Sequence, residues 1–102
     1  MLTEKRKKEI LNAANKYSDT AIKVSTVAAA RDFYNDYCDG KWSFDEHVVI
    51  MCLTQKYIDN KCGAITREAC LQEQKKLIRW LASGGNDEKN CKDESRSMEE
   101  SI

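Results

Sequence analysis

Along most of this chain apolar residues recur at intervals of three and four, the spacing that lines one side of an α-helix. From Thr3 to Tyr17, Ile10, Leu11, Ala13, Ala14 and Tyr17 gather on one side, with Lys5, Lys8, Asn12 and Lys16 on others. The pattern predicts an amphipathic helix over residues 3–17. Ser18, Asp19 and Thr20 then carry oxygens able to cap free amides, so a second helix is expected over 21–39. The β-branched Ile22, Val24, Thr26 and Val27 resist helix slightly, and a start at Ser25 is the alternative. Within this second segment the small side chains of Ala28, Ala29 and Ala30 permit a neighbour to approach closely.

Ser43-Phe44-Asp45-Glu46 has the form of a capping box, in which the serine oxygen accepts from the Glu46 amide and the Glu46 carboxylate reaches back. A third helix is therefore predicted over 44–61. Its run Val48-Val49-Ile50-Met51-Cys52-Leu53 points in every direction at helical pitch, which makes this the central helix, buried on more than one side. A strand over the same run has no second strand between Gly40 and Gly63 to pair with. Thr66 can cap a fourth helix over 66–83. There Cys70, Leu71, Gln74, Leu77, Ile78 and Leu81 share an arc, opposite Glu68, Gln72, Lys75, Lys76 and Arg79. Gly40, Gly63, Gly84 and Gly85 fall between or after the periodic stretches, where left-handed caps end helices.

Composition narrows the fold. A chain of 102 residues with 41% hydrophobic and 33% charged residues has the balance of one globular domain. The absence of proline and the presence of only 4 glycines favour helices over a many-stranded β fold. The expectation is an all-α, compact four-helix domain over 1–83, followed by a disordered acidic tail over 84–102. Only Cys91, Met98 and Ile102 are apolar in that tail, and Asp87, Glu88, Asp93, Glu94, Glu99 and Glu100 outnumber its bases. The first residues are charged, with no apolar stretch of a secretory signal behind them, and no run approaches a membrane span. A cytoplasmic protein without membrane contact is expected. The 5 cysteines are odd in number, widely spaced and without a C-x-x-C pair, so reduced thiols are expected rather than a disulfide framework or zinc ribbon.

Motifs for catalysis and metals are weak. His47, the only histidine, has Met51 and Cys52 one turn on, and a structural metal would require Cys38, His47, Cys62 and Cys70 to converge. Asn35 to Glu46 has the length of a calcium loop, but Tyr37 and Trp42 occupy positions where such a loop needs other residues. Asp32, Asp36 and Asp39 fall at helical spacing, which is ordinarily a wetted face. No nucleophile elbow, phosphate loop or H-E-x-x-H is present. No enzyme, cofactor or metal site is expected.

Two constellations remain. Phe33, Tyr34, Tyr37, Trp42 and Phe44 lie within twelve residues, interleaved with Asp36 and Asp39 and flanked by Asp32, Asp45 and Glu46. Rings amid carboxylates at a corner compose a protein-binding hot spot aimed at a basic surface. Asp32, Asp36, Tyr37, Asp39, Trp42, Asp45 and Glu46 are its candidate residues. The bland alternative holds Phe33, Tyr34 and Phe44 in the core and leaves only Tyr37 and Trp42 partly exposed. Separately, Lys5, Arg6, Lys7 and Lys8 make the first segment basic, as Lys75, Lys76 and Arg79 do the fourth. If those helices are adjacent, the cations could form a stripe for phosphates. The leading expectation is a non-enzymatic binding module docking its acidic aromatic corner on another protein. Size and type also suit accessory inhibitors of phages and mobile elements, including the anti-CRISPR kind that block nucleic-acid-processing enzymes. A small DNA- or RNA-binding regulator is the alternative, and a homodimer sharing the apolar surplus of the third helix is a third reading.

Overall fold

In the computed structural model, which describes residues 2–84, four helices each begin at a side-chain cap. Helix α1 spans Glu4–Lys23, α2 Thr26–Cys38, α3 Phe44–Lys61 and α4 Arg67–Ala82. The hydroxyls of Thr3, Ser25, Ser43 and Thr66 accept from the amides of Arg6, Ala28, Glu46 and Ala69. Each satisfies one of the amide donors that a helix start leaves open. The capping box forms in full, since Glu46 Oε1 also accepts from the Ser43 amide at 2.9 Å. Gly40 and Gly63 take φ of 81° and 82° after α2 and α3, a conformation that costs glycine no steric penalty.

The break between the first two helices is the one boundary that moves. Ser18 and Thr20 do not cap a second helix, because their hydroxyls donate to Asn15 O at 2.7 Å and Lys16 O at 3.1 Å within α1. Such local bonding lets polar residues continue a helix. The chain turns instead at Val24 and Ser25, the alternative start that the β-branched residues marked. The tail expected from residue 84 onward lies, apart from Gly84, outside the described residues.

Helix α3 is central: α1 packs most extensively against it, α4 packs on it as well, and α2 packs on α1. Charge pairs lock α1 and α3 side by side and parallel. Arg6 meets Glu46 near both helix starts, and at the other end Lys61 Nζ donates to Asn15, Ser18 and Asp19 at 2.7–2.8 Å. The core is Ile10, Ala14 and Tyr17 from α1, Phe33 from α2, Trp42 from the connection, and Val49, Ile50 and Leu53 from α3. Leu77, Ile78, Trp80 and Leu81 of α4 pack against its edge. Leu71, expected on the apolar arc, is instead exposed. Among the described residues no helix is long and apolar enough to cross a membrane.

Candidate functional site

The connection from α2 to α3 folds its rings differently from the sequence expectation. Trp42 is only 4% exposed, so it is not part of an open hot spot. Its Nε1 donates to Tyr17 Oη at 3.3 Å, and the Tyr17 hydroxyl donates in turn to Asp36 Oδ2. Burial, followed by that carboxylate, pushes the Tyr17 hydroxyl up to about 12. The Arg6 guanidinium lies over the Trp42 ring, 4.8 Å from its centroid. Trp42 is thus a core side chain whose one polar atom has found a partner.

Two carboxylates of the predicted surface are also committed to the fold. Asp36 holds Tyr17. Glu46 takes a two-pronged bond from Arg6, Nε to Oε2 at 2.8 Å and Nη2 to Oε1 at 2.7 Å, besides closing the capping box. The Arg6 bond holds the Glu46 carboxyl below its ordinary range. Arg6 also reaches Glu9 and the Lys41 carbonyl, which removes it from the predicted phosphate stripe. Its fork geometry is spent within the molecule.

What the corner does present is Tyr34, 56% exposed, and Phe44, 62% exposed, two rings that the bland alternative held in the core. Tyr37 is half-buried, Asp32 and Asp39 are exposed, and Asp45 is half-buried. The missed signal lay in helical phase. Counting back from Leu53, Ile50 and Val49 along the buried side of α3 reaches Glu46, and Phe44 falls off that side. Beneath the corner His47 is clamped. Its ring stacks on Phe33 and on Tyr37 with centroids 4.1 Å away in each case, and Tyr34 lies tilted at 5.7 Å. Among the described residues Nδ1 of His47 has no hydrogen-bond partner, and burial lowers the pKa of the ring.

Below this clamp α2 and α3 leave a groove of about 150 Å³ with α1 as its floor. Tyr17 and Ala21 lie at the bottom, Ala29, Ala30 and Phe33 form one wall, and Met51 and Ile58 the other. Met51, 48% exposed, stands at the edge. Ala29 is buried, and with Ala30 its small side chain leaves this space open beside α2.

The predicted basic faces do come together. Lys7 of α1 and Lys75 and Arg79 of α4 line one depression with Gln74, Ile78 and Ala82. Lys5 and Lys8 are exposed without lining it, and Lys76 faces Glu73 at 3.6 Å. Cys38, Cys52, Cys62 and Cys70 are free thiols. Cys70 is buried, and desolvation raises its pKa. Among the described residues no three His, Cys, Asp or Glu side chains gather closely enough to hold a metal. No family model, curated protein or solved structure matches the chain.

Proposed function

We propose that this chain is a non-enzymatic protein-binding module that docks its aromatic, acidic corner on a basic surface of another protein. The observation that carries this reading is the exposure of Tyr34 and Phe44 while smaller side chains such as Ala14 and Val49 fill the interior. Two rings left in water at the edge of a formed core are apolar area available to a partner. Both rings adjoin the His47 clamp: Tyr34 touches that ring, and Phe44 precedes it by one turn. The clamp pins Tyr37 beside them, so little conformational entropy remains to be lost on docking.

Charge selects the partner. Asp32, Asp39 and Asp45 lie on the same α2–α3 stretch as the rings, Asp32 and Asp39 exposed, and the faces of Tyr and Phe attract guanidinium and ammonium groups. A partner rich in exposed arginine and lysine, such as a nucleic-acid-processing enzyme, meets both requirements, and occupying that surface would inhibit it. Trp42, Asp36 and Glu46 support the corner from behind and do not meet the partner. Affinity capture from the native host, with tagged wild type and a Tyr34→Ser/Phe44→Ser variant, tests the reading. The wild type is expected to retain a basic protein that the variant loses, with at least a tenfold drop in affinity, about 1.4 kcal/mol. Equal retention by a folded double variant overturns it.

A further inference from the structure

We propose that the depression between α1 and α4 binds the phosphodiester backbone of a nucleic acid through Lys7, Lys75 and Arg79. Residues almost seventy positions apart in sequence bring three cations to one hollow of about 260 Å³. Among the described residues no carboxylate lines it. The contrast with neighbouring hollows is chemical: Glu9 and Asp36 line the one at Trp42, and Asp19 the one beside Lys23, so an anion there would face like charge.

Among the described residues the cations are also uncommitted. Arg6, Lys61 and Lys76 are held by Glu46, Asp19 and Glu73, whereas no ion pair among the described residues uses Lys7, Lys75 or Arg79. Lys75 and Arg79 stand one turn apart on α4, a spacing at which like charges repel, and Lys7 adds a third positive charge across the gap. Such crowding of like charge is unfavourable, and a bound phosphate would relieve it. The remaining lining suits the same ligand. The Tyr57 hydroxyl donates to Gln74 Oε1 at 2.7 Å, so the amide is oriented with its Nε2 hydrogens left to donate to phosphate or sugar oxygens. Arg79 can fork onto one phosphate while the two lysines act as point charges on its neighbours.

Lys75 and Arg79 stand one turn apart along α4 and Lys7 lines the same hollow from α1, so the charges are spread along a cleft between two helices. That distribution favours a chain of phosphates over a single small anion, and recession between two helices favours a strand over a flat bilayer. Fluorescence anisotropy of the full chain with fluorescein-labelled, mixed-sequence duplex and single-stranded DNA, over a series of KCl concentrations, tests this. For three phosphate contacts the duplex should give a slope of log K against log salt of about −2.7, made shallower by about 0.9 for each cation removed.

Lys75→Gln and Arg79→Gln should each flatten the slope, Arg79→Lys should keep it, and Lys5→Gln and Lys76→Gln should leave affinity within about twofold. Thermal melts by circular dichroism establish that each variant folds. Absence of binding at the lowest salt overturns the proposal, as does an unchanged slope in the Lys7→Gln/Lys75→Gln/Arg79→Gln variant. Binding to phosphatidylserine vesicles, or saturable binding of inorganic pyrophosphate, by a chain that binds no oligonucleotide also overturns it and assigns the groove to a membrane or a small anion. None of these variants touches Tyr34 or Phe44, so the outcome is independent of the protein-docking corner.

Discussion

At the scale of single residues, the division between rings that hold the fold and rings that meet solvent is directly measurable. Trp42→Ala removes a buried ring that packs on Tyr17 and under Arg6, and should destabilise the protein by about 3–5 kcal/mol in urea melts. Tyr34→Ser removes a ring more than half in water that keeps edge contacts with Phe33 and His47, and should cost about 1 kcal/mol, well below the loss at Trp42. A large loss from Tyr34→Ser would place that ring in the core and remove the basis for a docking corner. His47 yields a pH prediction. Its folded pKa is depressed by burial from the ordinary 6.5, with Phe33, Tyr34 and Tyr37 around it. Below the unfolded value the unfolded chain binds a proton that the folded one resists, so stability falls as pH drops from about 6.5 toward 5. Above about 7 the contribution is flat. The slope should vanish in His47→Phe, measured between pH 7.5 and 5, where Glu46, held low by Arg6, does not yet titrate. An identical slope in that variant would assign the pH dependence to other groups.

At the scale of elements, caps decide where helices start, and the turn between α1 and α2 shows how. Ser18, Thr20 and Ser25 are alike as residue types, yet only Ser25 accepts from an amide three residues on, at Ala28. Ser25→Ala should therefore cost about 1 kcal/mol of stability, and Thr20→Ala should cost nothing or stabilise slightly, because it exchanges a back-bonded hydroxyl for the best helix former. The reverse ranking in thermal melts would restore the earlier break. The capping box at Ser43, the Thr66 cap and the left-handed Gly40 and Gly63 were all legible in the sequence, because each depends on atoms within four residues of one another. The choice among Ser18, Thr20 and Ser25 was not legible, since it turned on whether α1 gained enough from contact with α3 to run on to Lys23. Lys61, which donates to Ser18 and Asp19 from more than forty positions away, is part of that gain.

At the scale of the whole molecule, α3 is the shared partner of α1 and α4, and α2 lies outside on α1. The parallel pairing of α1 with α3 rests on charge at both ends as well as on the core between them. A double-mutant cycle of Arg6→Ala and Glu46→Ala should give a coupling of about 1 kcal/mol, kept modest by the one-third exposure of Arg6. A coupling near zero would leave the packing of Ile10, Ala14, Ile50 and Leu53 as the whole cause of the alignment. The same arrangement sets two surfaces on different helix pairs: rings and carboxylates where α2 meets the start of α3, and cations where α1 approaches α4.

The all-α class, the number of helices, three of the four starts and the centrality of α3 followed from periodicity and local caps, which are properties of neighbours along the chain. The crowding of rings between Phe33 and Phe44 was visible in the same way. Which of those rings went inside was decided by packing. Trp42 could bury because Tyr17, 25 positions away in α1, supplied an acceptor for its N–H, and Glu46 and Asp36 turned inward because Arg6 and Tyr17 were there to receive them. Tyr34 and Phe44 were then left outside. Likewise, Lys7, Lys75 and Arg79 were visible as charges, but only the docking of both α1 and α4 on α3 made them neighbours. Local bonding is written in short intervals of sequence, whereas burial and charge proximity depend on which distant helix arrives alongside, and that is settled by the fold as a whole.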